Sequence, residues 1–382
     1  MTKEPRWLEL QPYLRREPVT LALLTGLAIV LFAAVSGLSR LYDGQQRALA
    51  ERWSARGAAD LAAKRFAAAV TDFRTSLLYS RDNFDYQLNL AESLLGEKRI
   101  DEAQAYLRNL WDLQPENGLV NLELARIAAG KGQIQEALRY YNDAIYAVWP
   151  GDQETERRNT RLELIHLLLR INAQQQAQSE LIALAANLGD NAAEEAQAGA
   201  LFMQAQDYTQ ALNEFRLSLR NDRHNVAAMT GAGEAAFKLG QYETAERYLA
   251  EAVRAAPGDK ATAARLKTAA LVLQLDPFGQ RLASAERDRR VVADFTTAGA
   301  RLSFCVAPGN PYAAAAPQQG LLQQWTKLKP QITVDSLRRD PDLVNTAMDL
   351  VFAIERQTGS TCGVPSDADT ALLLVANLHE GL

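Results

Sequence analysis

The chain is poor in the side chains that usually perform chemistry or bind metals. Its 382 residues include three histidines and two cysteines, which lie far apart at His166, His224, His379, Cys305 and Cys362. It has no glycine-rich phosphate loop, and neither the Gly-x-Ser-x-Gly nor the His-Glu-x-x-His motif occurs. His166 lies in an apolar run, which favours a core or groove position over a role as metal ligand. The sequence therefore predicts no catalytic residue, no cofactor and no metal site.

An excess of positive charge is also missing. Lysine and arginine number 41 against 46 aspartates and glutamates, which gives a net charge of −5. Arginines recur along the chain, but acidic residues alternate with them, as on solvated helix faces. This balance gives no reason to expect nucleic acid as a partner. A content of 23% charged residues is ordinary for a folded soluble region.

What the sequence does contain is a repeat with a period of 34 residues. Alanines stand 34 residues apart at positions 69, 103 and 137, and the period resumes at positions 177, 211 and 245. A small residue at the same point of each unit indicates an array of helix–turn–helix units. Small residues in the first helices are expected to let two helices approach closely, with bulky ones such as Phe73, Tyr141 and Phe215 filling the space beside them. Such an array forms a binding surface rather than a catalytic pocket.

The units resemble the tetratricopeptide repeat family, whose pattern has an aromatic, a leucine, a small residue, an alanine, an aromatic, an alanine and a closing proline. The third unit shows it with Leu124, Ala128, Ala137, Tyr141 and Ala144. The resemblance implies an all-α fold, a helix–turn–helix solenoid of about six units over residues 50–259. The predicted units are 50–83, 84–117, 118–151, 158–191, 192–225 and 226–259. The step from Ala137 to Ala177 exceeds the period by six residues, and this surplus, which falls within 151–158, predicts a longer loop or an extended helix start.

The resemblance also implies where a partner would bind. In this family the first helices line a concave groove, with positions 2, 5, 9 and 12 of each unit facing it. The candidate groove residues are Asp85, Leu88, Glu92, Leu95, Leu119, Leu122, Arg126, Met203, Thr230, Glu234 and Phe237. An extended peptide or a partner helix is the expected ligand. The alternative is that the terminal segment of the chain fills part of this groove.

One known ligand of the family is disfavoured by the sequence. Family members that hold acidic chaperone tails use lysine, arginine and asparagine at fixed groove positions. The corresponding residues here are Ser54, Ala58, Asn89, Leu119 and Glu123, and only the asparagine matches. Capture of a carboxylate tail by that arrangement is therefore not expected.

A long apolar segment precedes the repeats. Residues 18–39 carry no charge and follow a tail, residues 1–17, that ends in Arg15, Arg16 and Glu17. At 1.5 Å per residue such a helix is long enough to cross a hydrocarbon core of about 30 Å. A signal peptide and a buried helix are the alternatives. Basic residues flank the segment equally, but the arginine pair favours a cytoplasmic N-terminus, which predicts a single-pass bacterial inner-membrane protein with a periplasmic array.

The chain continues beyond the repeats with several further helices. Residues 260–305 are expected to form capping helices, residues 306–316 a linker, and residues 317–382 a mostly helical C-terminal segment with an extended piece around 332–334. Cys305 and Cys362 allow one disulfide or two buried thiols.

These features favour a non-enzymatic, membrane-tethered scaffold or adaptor that binds a peptide or protein partner and organises a cell-envelope assembly. The alternative is an accessory subunit of an envelope biosynthetic or secretion enzyme. In that case the C-terminal segment contacts the enzyme and the array is a spacer.

Overall fold

The fold is all-α, as the sequence predicts. The computed structural model describes residues 11–280, 282–311, 313, 315–359 and 361–379, and within them no strand is formed. The first ten residues of the expected N-terminal tail lie outside the described residues. The chain divides into two compact units, residues 1–164 and residues 165–382.

Unit one consists of helices that pack in sequence order. They are α1 (Gln11–Ala62), α2 (Phe66–Tyr79), α3 (Phe84–Gly96), α4 (Ile100–Leu113), α5 (Gly118–Gly130), α6 (Ile134–Tyr146) and the first part of α7 (Gln153–Arg170). Helix α1 is continuous from the apolar segment into the first repeat, although the sequence predicts two separate elements there. The surplus residues before the fourth repeat lengthen the start of α7, so the second of the two expected alternatives is the correct one.

The same backbone turn joins the two helices of every repeat. Five residues before each spaced alanine, one residue has a positive φ; these are Lys64, Lys98, Gly132, Asn172, Gln206 and Gly240. The next residue donates its N–H to the carbonyl five residues earlier, for example Arg65 to Asp60 at 2.8 Å and Asp207 to Phe202 at 3.0 Å. This Schellman-type closure reverses the chain within a few residues.

The first helices also begin in a common way. The side chains of Asn83, Asn117 and Asn225 each accept a hydrogen bond from the backbone N–H three residues later, at 3.0 to 3.1 Å. Asn191 and Asp259 cap their helices similarly. Each cap occupies one of the otherwise unpaired N–H groups at a helix start. Turn and cap therefore recur with the period of the alanines.

Close packing explains the small residues of the repeats. Ala69, Ala103 and Ala137 are fully buried. A Cβ added at Gly57 would lie 3.1 Å from the Phe73 ring, and one at Gly199 would lie 2.8 Å from Phe215. In both cases an aromatic ring of the second helix occupies the space that a side chain on the first helix would need.

Unit two continues with α8 (Gln174–Ala185) and ten further helices. These are α9 (Ala192–Gln204), α10 (Tyr208–Asn221), α11 (Val226–Lys238), α12 (Tyr242–Ala255), α13 (Lys260–Leu275), α14 (Ser284–Cys305), α15 (Ala316–Leu328), α16 (Val334–Arg339), α17 (Asp342–Gly359) and α18 (Asp367–Leu378). Of the extended piece expected at 332–334, Thr333 has an extended backbone, but Val334 already belongs to α16. Thr333 caps α16, because its Oγ1 accepts a hydrogen bond from the N–H of Ser336 at 3.2 Å.

The C-terminal helices are joined to α14. Cys305, the last residue of α14, forms a disulfide with Cys362, and their Cα atoms lie 5.2 Å apart. One turn earlier, the Arg301 guanidinium donates to the carbonyls of Thr358 at 3.2 Å and Gly363 at 2.9 Å. Together these contacts fix the segment between α17 and α18.

Candidate protein-binding groove

The predicted groove residues of unit one differ in their accessibility. Asp85 and Arg126 are exposed, and Glu92, Leu95 and Leu119 are half-buried. Leu88 and Leu122 are buried, with 8% and 5% of their surface exposed. Long aliphatic side chains at this helix position insert between neighbouring helices, so these two leucines stabilise the groove and are not available to a ligand.

Arg126 is the centre of an ionic network across the groove. Its guanidinium donates to both carboxylate oxygens of Glu163 on α7, at 2.9 Å from Nε and 2.5 Å from Nη2. Its Nη1 donates to Glu123 on α5 at 2.5 Å. This two-pronged contact with a carboxylate fixes the arginine between the two helices.

Negative charge exceeds positive charge around this network. Burial raises the pKa of Glu92, and the nearby Glu123 raises it further. Burial also raises the pKa of Glu123, against the opposing effect of Arg126. The hydrogen bond to Glu163 is the largest cause of the raised pKa of Arg126. Two carboxylates thus bind one guanidinium, and a third, Glu92, lies within electrostatic range of it, so an additional cation from a partner would be favourably placed here.

Among the candidate residues of unit two, the one charged side chain has a partner of opposite charge. Glu234 on α11 forms an ion pair with Arg265 on α13 at 3.1 Å. The Arg265 guanidinium carbon also lies 4.7 Å from the centre of the Phe237 ring. Phe237 is buried, while Met203 and Thr230 are half-buried. Buried Phe237 packs at right angles on Tyr242, with ring centres 5.2 Å apart, and so belongs to the helix packing.

Helix α18 packs along α13. Asp367 at its start pairs with Lys267, and His379 after its end lies 2.9 Å from Asp276, measured from Nε2 to Oδ1. The two helices therefore run parallel. Leu378 approaches the end of α11, where an added Cβ on Gly240 would lie 3.2 Å from it. The terminal segment covers this part of the unit-two surface.

Two features of the site were not predicted from the sequence. The pairing of Arg126 with Glu123, one of the fixed groove positions named above, and with Glu163 was not expected. Only the first pairing has a local signal, a spacing of three residues along one helix. His166 is exposed on α7, so it is not a core residue; it interrupts a run of buried apolar residues. Among the described residues, no group of three or more His, Cys, Asp or Glu is arranged to hold a metal ion.

The sequence model of the tetratricopeptide repeat matches residues 94–148 and 202–270. These two segments are tetratricopeptide repeats. The matched segments cover most of the second and third repeats of unit one and most of the last two repeats of unit two. Repeats of this kind typically form scaffolds for protein interactions, and the chain has a scaffold of this type.

Several solved structures of repeat proteins are similar to parts of this chain at low sequence identity. YrrB, described as a tetratricopeptide protein with an unusual peptide-binding site, is 16% identical; the match covers 50% of this chain and 95% of YrrB, with a TM-score of 0.40. PilF of Pseudomonas aeruginosa is also 16% identical, covering 56% and 95% of the two chains at 0.39. A repeat protein from Cytophaga hutchinsonii is 12% identical, covering 62% and 92% at 0.44. None of the curated proteins matches this chain in sequence.

Proposed function

We propose that this tetratricopeptide repeat protein is a non-enzymatic, single-pass membrane scaffold. Its concave groove binds an extended peptide or a helix of a partner and so organises a cell-envelope assembly. The observation that carries this proposal is the continuity of α1. The helix contains the apolar segment and then enters the first repeat, where Ala50 is already buried with 1% of its surface exposed.

The apolar part of α1 has the surface expected of a membrane span. Its large side chains are exposed, including Leu23 at 69%, Phe32 at 75% and Leu38 at 74%. The most apolar 18-residue window of the helix has no residue buried by other parts of the structure. Exposed side chains of this size over some 20 residues need a hydrocarbon environment, which supports a membrane tether.

The disulfide supports a location outside the cytoplasm. Cys305 and Cys362 are bonded, and such bonds persist in oxidising compartments such as the bacterial periplasm. We therefore place the span in a bacterial inner membrane with the repeats on the periplasmic side. Tethering raises the effective concentration of the groove near membrane partners, so weak contacts suffice for binding.

The charge of the unit-one groove suggests the chemistry of the partner. Glu92, Glu123 and Glu163 surround Arg126 and leave an excess of negative charge. A partner segment with a lysine or arginine among apolar residues would complement this surface.

Site-specific photo-crosslinking in intact cells tests the proposal. A crosslinking amino acid at Leu119 lies in the groove, and one at Asn109 lies on the exposed side of α4 in the same unit. We expect a protein adduct at position 119 only, and its loss when Glu163→Lys reverses the groove charge. Adducts at both positions, or an adduct unaffected by Glu163→Lys, would contradict groove binding.

A second experiment tests the tether. The full chain is expected in the membrane fraction after alkaline extraction, while a chain lacking residues 1–40 should be soluble with equal helical content per repeat. An equally soluble full chain would rule out the membrane span.

The accessory-subunit role is the second candidate, and one observation favours it. The disulfide and Arg301 join the C-terminal helices to α14. These helices therefore have a fixed arrangement and can present a binding surface separate from the groove. Crosslinking at exposed Arg338 on α16, with none at Leu119, would support this role over the groove.

A further inference from the structure

We propose that one edge of unit one rests on the surface of the lipid bilayer. This inter-repeat edge consists of the C-terminal ends of α2, α4 and α6 with the loops that follow them, residues 78–83, 113–117 and 146–152. The proposal rests on the membrane tether proposed above and adds an orientation and a second membrane contact.

The direction of the helices brings this edge towards the apolar part of α1. Ala50, Arg56 and Asp60 of α1 contact Ser76, Asp72 and Arg65 respectively, so α2 runs antiparallel to α1. The C-terminal end of α2 therefore points back towards the membrane span. Ala50 lies ten residues beyond Arg40, the first charge after the span, which is about 15 Å along a helix. Leu78 lies beyond Ser76 in that direction and is closer still.

The second helices of the next two repeats end at the same edge, because each short turn reverses the chain. The loop after α6 is fixed to the loop after α4 by two backbone hydrogen bonds. The N–H of Val148 donates to the carbonyl of Glu116 at 3.0 Å, and the N–H of Gly118 donates to the carbonyl of Val148 at 3.1 Å. Trp149 is buried against Gly118. The loops after α4 and α6 therefore hold each other in a fixed position at this edge.

The chemistry of the two edges of unit one differs. Between residues 50 and 164, all of which are described, the large exposed apolar side chains are Leu78 at 72%, Leu113 at 68%, Tyr146 at 75% and Val148 at 64%, and all four lie at the inter-repeat edge. The opposite edge, formed by the turns within the repeats, carries exposed cations, namely Lys64, Arg65, Lys98, Arg99 and Lys131. Apolar and tyrosine side chains suit the membrane interface, and the charged edge suits water.

The contact is apolar rather than electrostatic. Within the inter-repeat edge, exposed carboxylates at Asp82, Glu116 and Asp152 outnumber the one exposed cation, Arg81. They would be repelled by anionic lipids, so binding should neither require such lipids nor weaken at high salt. The occupant we assign is therefore the interface of a zwitterionic bilayer.

Quenching by spin-labelled lipid tests the inference on the full chain. Single cysteines are introduced at the edge (Leu113→Cys and Tyr146→Cys) and at the opposite edge as controls (Ala63→Cys and Lys131→Cys). Each is labelled with an environment-sensitive fluorophore, and the native cysteines do not react because they are bonded. The protein is reconstituted into phosphatidylcholine vesicles with and without a lipid that carries a nitroxide near the headgroup.

We expect a loss of emission at positions 113 and 146, none at 63 and 131, and no change at high salt. Equal quenching at all four positions, no quenching at any, or quenching that requires anionic lipid would overturn the inference. Failure of the protein to float with the vesicles would instead refute the tether. A protein that floats without quenching at 113 and 146 refutes only the edge contact and leaves this surface for a protein partner.

Discussion

At the scale of single residues, the carboxyl groups buried among the C-terminal helices are the most unusual feature. Asp294 is fully buried and Glu355 is 1% exposed. Burial raises the pKa of each to about 8. The charged groups around them act in both directions: Arg290 and Arg301 oppose the shift, while Asp276 and Asp369 reinforce it. Both carboxyls therefore favour the protonated form in the folded protein.

This predicts that unit two loses stability as the pH rises. A carboxyl with a raised pKa in the folded state stabilises the fold fully below its unfolded pKa of about 4, and that contribution is lost up to about pH 8. Each unit of pKa difference corresponds to about 1.4 kcal/mol. We expect Glu355→Gln to reduce the loss by about 1 kcal/mol or more, measured by denaturant unfolding from pH 5 to pH 8. The exposed Glu243→Gln is the control and should follow the wild type.

At the scale of elements, the turn within each repeat is the structural feature that recurs most regularly. Four of its positive-φ positions carry a residue other than glycine, including Gln206 at 60° and Asn172 at 57°. For most L-residues this conformation costs about 1–2 kcal/mol, while asparagine tolerates it better. The protein keeps the turn because the surrounding helix packing and the backbone closure outweigh that cost.

Glycine at these positions should therefore raise stability. We expect Gln206→Gly to increase the free energy of unfolding by up to about 1 kcal/mol, after the entropy cost of glycine is subtracted, and Asn172→Gly to increase it less. Gly132→Ala should lower it by about 1 kcal/mol, because no atom lies within 4 Å of the added Cβ and only backbone strain changes. A gain at 172 that exceeds the gain at 206 would show that φ is not the controlling factor.

The repeats could be predicted from the sequence because their period is carried by residues with a strict packing role, as Ala69 and Ala103 show. The asparagine caps at 83, 117 and 225 follow the same period and were available as a further signal. The burial of groove side chains such as Leu88 was not predictable. A position in the repeat determines on which face of the helix a side chain lies, but not how much of that side chain a neighbouring helix covers. Glu163 could not be paired with Arg126 because the surplus residues shift the register before it.

At the scale of the whole molecule, α1 and the disulfide bear on where the protein works. The apolar segment and the first repeat could be predicted from the sequence. That residues 40–49 continue the helix between them could not, because these residues carry no local signal that distinguishes a linker from a solvated helix. In the proposed tether, a continuous helix would fix the direction in which the first repeat leaves the membrane. The disulfide joins Cys305 and Cys362, which are 57 residues apart in the sequence. It indicates an oxidising compartment, because such a bond needs an oxidising environment to persist.

The oxidation state of the cysteines in living cells therefore tests the periplasmic placement. Cells are quenched with acid, and free thiols are labelled under denaturing conditions with a maleimide that adds a visible mass. We expect no addition to Cys305 or Cys362 before reduction and two additions after it, because a periplasmic array keeps the bond that the fold brings together. The Cys362→Ser variant should gain one label without reduction, which shows that the remaining thiol reacts once the chain is unfolded. Two labels on the unreduced wild type would place the repeats in a reducing compartment and reverse the orientation of α1.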